Sequence, residues 1–110
     1  MASPGVKIVR VTQEELRHLF NERYLEKIST GAIVAKVMRG AGRHPSLILA
    51  SEPYCTESQE VSYIDVATNH EVARAHRYLR PDGTIGASGL PDPKRVFYDG
   101  VLYRMVKTRP

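Results

Sequence analysis

The chain of 110 residues carries 16 Lys and Arg against 12 Asp and Glu, a net charge of +4 at pH 7. This length suits one domain over 1-110, whose ends at 1-5 and 107-110 we expect to be frayed. Its hydrophobic content of 42% is typical of a soluble globular protein, and no apolar run is long enough to cross a membrane. No signal-peptide pattern is present and the single Cys55 cannot form an internal disulfide, so we expect a cytoplasmic location.

The positive excess is concentrated in the C-terminal part of the chain. Residues 71-110 hold eight Lys and Arg but four Asp and Glu, whereas the two kinds of charge cancel over 1-70. A basic surface attracts nucleic acid and other polyanions through long-range fields. The charge therefore points to an anionic partner, although many basic proteins bind no anion.

The first third of the chain predicts a short strand and then a long helix. The strand is 7-11. Thr12 and Glu15 have the spacing of a capping box, in which each side chain accepts a hydrogen bond from a backbone N–H at the start of a helix. Gly31 is a C-terminal stop. Between them lies an apolar stripe with a helical period, which predicts a helix over 13-29 that packs on a sheet. The stripe consists of Leu16, Leu19, Phe20, Tyr24 and Ile28.

The next part of the chain predicts short strands separated by irregular structure. Residues 32-38 and 47-50 are rich in aliphatic side chains and predict strands. The basic glycine segment 39-45 could let the backbone approach a phosphate, but no Walker pattern follows it, so we expect a mobile basic loop. Residues 51-59 predict a loop.

Two β-like runs, 61-66 and 72-79, predict a central hairpin around a turn at Asn69 and His70. A two-residue loop and a four-residue loop would place the same residues on each face, because side chains alternate along a strand, whereas a three-residue loop would break this register. The face that we expect to be exposed carries Tyr63, Asp65, Arg74, His76 and Tyr78. The set that we expect to face the core is Ile64, Val66, Ala73 and Ala75.

The exposed face of this hairpin combines an acid, a cation, an imidazole and two phenols. Such a set could bind an anion or perform general acid–base chemistry, because histidine titrates near neutral pH. His76 and Asp65 are the candidate catalytic residues. The candidate ligands of a nucleic acid or another anion on this hairpin are Arg74, Tyr63 and Tyr78. The simpler alternative, which we favour, is a solvated face with an ordinary Asp65–Arg74 ion pair.

The segment 80-94 predicts an irregular connection. It holds three Pro and three Gly, and its first four residues have the composition of a type I turn. Connections of this length without regular structure are uncommon in compact domains and are often functional. The segment is therefore a candidate rim or lid of a binding site.

A second hairpin is predicted around Asp99-Gly100, a strong signal for a two-residue turn. Its strands are 95-98 and 101-106. This loop length would set Arg95 directly opposite Arg104, and like charges in that arrangement are unfavourable. The two arginines either splay into solvent or hold an anion between them, so both are candidate anion-binding residues.

These elements predict an α+β fold with one amphipathic N-terminal helix packed on a mainly antiparallel sheet of five or six strands. The sheet could curl into a barrel. The four histidines lack the short spacings of a zinc site, so we expect no metal site, and no cofactor motif is present.

Three classes of function remain open from the sequence. The first, which we weakly favour, is a small basic protein that binds nucleic acid or another anion, with ribonuclease activity as one form of it. The second is a small-molecule-binding domain that uses a concave sheet face under the 80-94 segment. The third is a protein-interaction module that forms a homodimer through an exposed strand edge.

Overall fold

A computed structural model describes residues 6-40, 55-86 and 89-106. These residues form one helix and six strands. The helix is α1 (Gln13–Thr30), and the strands in chain order are β1 (Lys7–Val11), β2 (Ile33–Gly40), β3 (Glu57–Asp65), β4 (His70–Leu79), β5 (Asp92–Tyr98) and β6 (Val101–Met105). Within these ranges, no helix combines the length and the apolar character that crossing a bilayer requires.

The strands form one open, mixed sheet in the order β1-β6-β5-β4-β3-β2. All neighbours are antiparallel except β1 and β6, which run parallel. The predicted helix on a mainly antiparallel sheet is confirmed, whereas closure into a barrel is wrong, because β1 and β2 lie at opposite edges. Helix α1 connects these edges: its 18 residues span about 27 Å, close to the roughly 24 Å across five gaps between strands.

Helix α1 packs its apolar stripe on one face of the sheet. Leu16 and Phe20 are fully buried, and Tyr24 is nearly so. The Phe20 ring meets the ring of Tyr63 from β3 edge to face, with centroids 5.3 Å apart. Sheet residues such as Val96 of β5 complete a single core beneath the helix. The predicted core role of the stripe is therefore confirmed.

Both ends of the helix follow the predicted signals. The Thr12 hydroxyl accepts from the Glu15 backbone N–H at 3.1 Å, and the Glu15 carboxylate accepts from the Thr12 backbone N–H at 2.8 Å. The hydrogen bond from the Thr12 backbone holds the pKa of Glu15 below its usual value. Gly31 ends the helix with a φ of 87°, a left-handed conformation that glycine adopts without strain.

The central hairpin of β3 and β4 has a different register from the predicted one. Asp65 pairs with His70 rather than with Arg74, across a four-residue connection at 66-69. The backbone N–H of Asn69 donates to the carbonyl of Asp65 at 2.7 Å and closes this turn. Arg74 instead lies opposite Ser62.

A bulge in β4 changes which residues share a face. Ile64 pairs with Glu71 but Tyr63 pairs with Ala73, so Val72 is one extra residue on β4. Because side chains alternate along each strand, the bulge turns Tyr63 toward the helix, where only 2% of it is exposed, and Ile64 away from it. The predicted faces are therefore wrong for β3 and confirmed for β4.

Two segments that were predicted to be irregular contain strand. β3 begins at Glu57, inside the predicted loop 51-59, and β5 begins at Asp92, inside 80-94. The predicted register of the second hairpin is confirmed for all of its residue pairs, including Arg95 opposite Arg104. Its turn residues Asp99 and Gly100 both have positive φ, as a tight two-residue turn requires.

Some expectations fall outside the described residues. They are the frayed ends at 1-5 and 107-110, the strand at 47-50 and most of the basic loop at 39-45. The assignment of 1-110 to a single domain stays a prediction.

Candidate functional site

The two faces of the sheet are unlike. One is covered by α1 and holds the core, and we call the other, over which the described residues place no helix, the helix-free face. Strand pairing assigns side chains to a face, because residues directly opposite each other on neighbouring strands point to the same side. The candidate site lies on the helix-free face and at one margin of it.

A row of basic side chains crosses the helix-free face from edge to edge. Each lies directly opposite the next across neighbouring strands, with Ser62 of β3 as an interruption. Its members from β1 to β2, which we call the cation row, are Arg10, Arg104, Arg95, Arg74 and Lys36. Like charges directly opposite each other destabilise a sheet. Four arginines on neighbouring strands therefore need negative charge nearby, either from carboxylates or from a ligand.

Carboxylates neutralise the inner part of the cation row. Glu71 Oε1 accepts from Arg74 Nη2 at 2.7 Å, and Glu71 Oε2 accepts from Arg95 Nη2 at 2.9 Å. The Ser62 hydroxyl also donates to Glu71, and Arg74 Nη1 donates to Glu60 at 3.1 Å. Burial alone would raise the pKa of Glu71, but its three hydrogen-bond donors outweigh burial and lower it. This carboxylate is therefore ionised at neutral pH.

The outer members of the cation row have no such counter-charge. Arg10, Arg104 and Lys36 are exposed. None of them forms an ion pair with a carboxylate in the described part of the chain. Arg10 Nη1 donates to the backbone carbonyl of Met105 at 3.3 Å, which leaves its charge uncompensated. Three positive charges of the row are thus available to an anionic partner.

An apolar strip runs beside the cation row. Ile8, Leu102 and Phe97 lie directly opposite one another on β1, β6 and β5, two residues along each strand from the row. Ile8 is 52% exposed, and the other two are partly buried. Apolar side chains and an aromatic ring beside cations form a surface on which nucleic-acid bases can stack.

A cleft of about 880 Å³ opens on the other side of the cation row. It lies where β4 and β5 separate, because their pairing stops at His76 and Asp92 while β4 continues to Leu79. Its walls come from α1, from both faces of β4 and from the connection before β5. The lining residues are Arg17, Asn21, Glu60, Ala75, His76, Arg77, Tyr78, Gly86, Leu90, Pro91, Asp92 and Lys94.

His76 in this cleft has an environment that favours the neutral imidazole. Its Nε2 lies 2.6 Å from the hydroxyl of Ser58, and its ring meets that of Tyr78 edge to face with centroids 4.7 Å apart. Burial and then the charge of Lys94 lower the pKa of His76, against the opposite effect of Asp92. The ring is therefore uncharged at pH 7 and able to accept a proton. Sequence reasoning missed the contact with Ser58.

The structure does not bring the two predicted catalytic residues together. Asp65 ends β3 on the helix-covered side, whereas His76 lies opposite Glu60 on the helix-free face. Glu60 and Asp65 are five residues apart along β3, which corresponds to about 17 Å. Asp65 and His76 therefore do not share a site, and their catalytic roles stay predictions.

Four of the five predicted binding residues do share the helix-free face. They are Arg74, Tyr78, Arg95 and Arg104. Tyr63 does not, because it is buried beneath the helix, and this burial raises the pKa of its hydroxyl. Arg95 lies opposite Arg104 as predicted, but its guanidinium turns to Glu71. An anion between these two arginines is thus not needed to separate their charges.

Sequence reasoning missed two members of the cation row, Arg10 and Lys36. Alternation along β2 could have placed Lys36, but no local signal pairs β1 with β6, so Arg10 required the tertiary structure. In the described residues, no group of three or more His, Cys, Asp or Glu could hold a metal ion. The site is therefore described by its cations, its apolar strip and its cleft.

Comparisons with protein-family models, with curated proteins and with solved structures found no match for this chain. The geometry of the helix-free face is consequently the main guide to function.

Proposed function

We propose that this protein binds single-stranded nucleic acid on the helix-free face of its sheet. The observation that carries the proposal is the cation row, which has members in register on five of the six strands and reaches from one edge of the sheet to the other. A row about 24 Å long suits a phosphate backbone that runs across the strands.

The charge distribution supports a polyanionic ligand. The carboxylates of Glu60 and Glu71 compensate only the inner arginines, so Arg10 and Arg104 repel each other across β1 and β6, and Lys36 at the other edge is also uncompensated. A chain of phosphates would relieve this repulsion and release counterions from its own backbone, which favours binding. A small isolated anion could contact only part of a row of this length.

The shape and the apolar strip favour a single strand over a duplex. A face of six strands, about 24 Å across, is too wide to enter the major groove of a duplex as a helix or a narrow ribbon does. Exposed bases of a single strand can stack on Phe97 and on the aliphatic side chains beside it, while the phosphates contact the cation row.

The test is binding of a fluorescent single-stranded RNA, followed by anisotropy at several salt concentrations. Three contacts from the outer cations would give a slope of log affinity against log salt of about −2, at about −0.7 per phosphate contact. Arg104→Gln should weaken binding and make the slope shallower by about 0.7. Lys27→Gln is the matched control, because it removes one exposed positive charge from α1.

Two results would contradict the proposal. One is an absence of binding at low salt, and the other is an equal loss of affinity in Arg104→Gln and Lys27→Gln. If the protein fails to bind and its mass in solution rises with concentration, a homodimeric interaction module becomes the better account. A duplex of the same sequence should bind more weakly than the single strand.

A further inference from the structure

The cleft beside the cation row has its own arrangement of charges. Its lining includes three cationic side chains, those of Arg17, Arg77 and Lys94, and the carboxylate of Asp92, which pairs with Arg17 and Lys94. A second carboxylate at its margin, Glu60, is already paired with an arginine of the cation row. The cleft therefore holds more positive than negative charge, in addition to that of the row.

Arg77 is held in place by a neutral group. Its Nε donates to the side-chain oxygen of Gln59 at 2.8 Å. Gln59 is buried, so this hydrogen bond fixes the guanidinium at the wall of the cleft. No carboxylate among the described residues forms an ion pair with Arg77. A partly buried cation that has only neutral partners is a favourable site for an anion.

The other two cations can turn toward the same anion. Arg17 Nε lies 3.1 Å and Lys94 Nζ lies 3.3 Å from the carboxylate of Asp92. Both side chains are about half exposed, at 55% and 47%, and ion pairs of this kind contribute little to stability. Their remaining N–H groups can therefore bind a ligand at little cost.

We propose that the cleft binds a phosphate monoester attached to a nucleoside, either as the terminal phosphate of a single strand or as a free nucleoside monophosphate. A terminal phosphate carries a charge of about −1.5 to −2, more than a phosphodiester inside the chain, and offers three acceptor oxygens to the three cations. Tyr78, Leu90 and Pro91 supply an apolar wall for the attached sugar and base.

The position of the cleft links it to the cation row. His76 and Tyr78 line the cleft and also lie on the helix-free face, next to Arg74 of the row. A strand that follows the row can therefore place its last nucleotide in the cleft. Binding of the last nucleotide of a strand in the cleft rests on the proposed function, whereas binding of a free mononucleotide does not.

The experiment compares one internally labelled single-stranded RNA in three forms, with a 5′-phosphate, a 3′-phosphate or hydroxyl groups at both ends. One phosphorylated form should bind about tenfold more tightly than the hydroxyl form, the effect of a few partly exposed charge-assisted hydrogen bonds. Arg77→Gln should abolish this preference and leave binding of the hydroxyl form within about twofold. Arg104→Gln should weaken all three forms and keep the preference.

A second variant guards against loss of the fold. Arg77 is hydrogen-bonded to the buried side chain of Gln59, so Lys94→Gln, at an exposed position, is tested in parallel and should reduce the preference about threefold. The matched measurement with free ligands compares adenosine monophosphate with adenosine by NMR chemical-shift changes. Only the monophosphate should shift the resonances of the cleft residues.

The outcomes separate the two proposals. Equal affinity for the three forms of RNA, together with no response to adenosine monophosphate, would overturn the cleft assignment while leaving the cation row intact. If no RNA binds but adenosine monophosphate binds in wild type and not in Arg77→Gln, the cleft assignment stands and the proposed function fails.

Discussion

The two faces of the sheet have opposite effects on the stability of the fold. On the helix-covered face, Phe20 and Val96 are completely buried, and packing there provides the stability of the fold. On the helix-free face, Arg10 and Arg104 lie side by side in solvent, which costs stability. The helix-covered face must therefore supply the stability that the charged face lacks. Because folding relies on the helix-covered face, the helix-free face is available for binding.

Helix α1 and the cation row also differ in the sign of their net charge. Helix α1 holds four acidic and three basic residues, whereas the cation row has five basic residues against the carboxylates of Glu60 and Glu71. A polyanion that approaches the molecule is therefore attracted to the helix-free face and not to the helix. The following predictions ask whether stability and binding can be changed separately on the two faces.

The largest expected effect is on the helix-covered face. Phe20→Ala should lower the free energy of unfolding by about 3–5 kcal/mol, because it removes a fully buried ring from the core. Chemical denaturation measures this change. Ile8→Ala on the helix-free face is the matched control and should cost less than about 1 kcal/mol, since half of that side chain is exposed. Similar costs at the two positions would contradict the division between the faces.

Glu71→Gln should change stability and binding in opposite directions. It weakens the hydrogen bonds that hold Arg74 and Arg95, and we expect a loss of about 1–2 kcal/mol in unfolding free energy, given that a quarter of the carboxylate side chain is exposed. RNA affinity should rise at the same time, because the cation row loses its main counter-charge. Glu26→Gln on α1 makes the same change of charge and should affect neither quantity much. A fall in RNA affinity in Glu71→Gln would count against the role of the row.

Gly100→Ala tests the hairpin that carries residues of both faces. Its φ of 77° is unfavourable for alanine, so the substitution should cost about 1 kcal/mol of unfolding free energy. Because Arg95 and Arg104 are on this hairpin, RNA binding by the folded protein should weaken slightly as the strands loosen. Asp99→Asn keeps a residue that tolerates positive φ and should behave like wild type in thermal denaturation. A wild-type melting temperature for Gly100→Ala would refute the prediction.

The smallest effect concerns pH. Burial lowers the pKa of His76, so below about 6.5 the unfolded chain takes up a proton before the folded protein does. The unfolding free energy should therefore fall as the pH drops from 6.5 toward the folded pKa, and it should be unaffected by this group above pH 7. In His76→Asn, the part of the fall in unfolding free energy that comes from His76 should be absent. Denaturation curves between pH 8 and pH 5 that decline equally in the two proteins would show that His76 is not responsible.

The candidate site was predictable only where local signals determine the structure. The Asp99-Gly100 turn sets the register of its own hairpin, so the Arg95–Arg104 pair follows from sequence. The central hairpin has no comparable signal for its bulge, and this one extra residue put Tyr63 on the wrong predicted face. One inserted residue reverses the faces of one strand relative to its partner, which is why the predicted faces are right for β4 and wrong for β3.

The sequence by itself determined the helix, its caps and its buried stripe, together with most of the strands, because these depend on neighbours a few residues away. Only the tertiary structure decided which strands lie side by side. The pairing of β1 with β6 joins the two ends of the chain, and it is this pairing that brings Arg10 next to Arg104. Contacts of such long range depend on how the whole sheet packs against α1, so local patterns predict the Arg95–Arg104 pair but not the complete cation row.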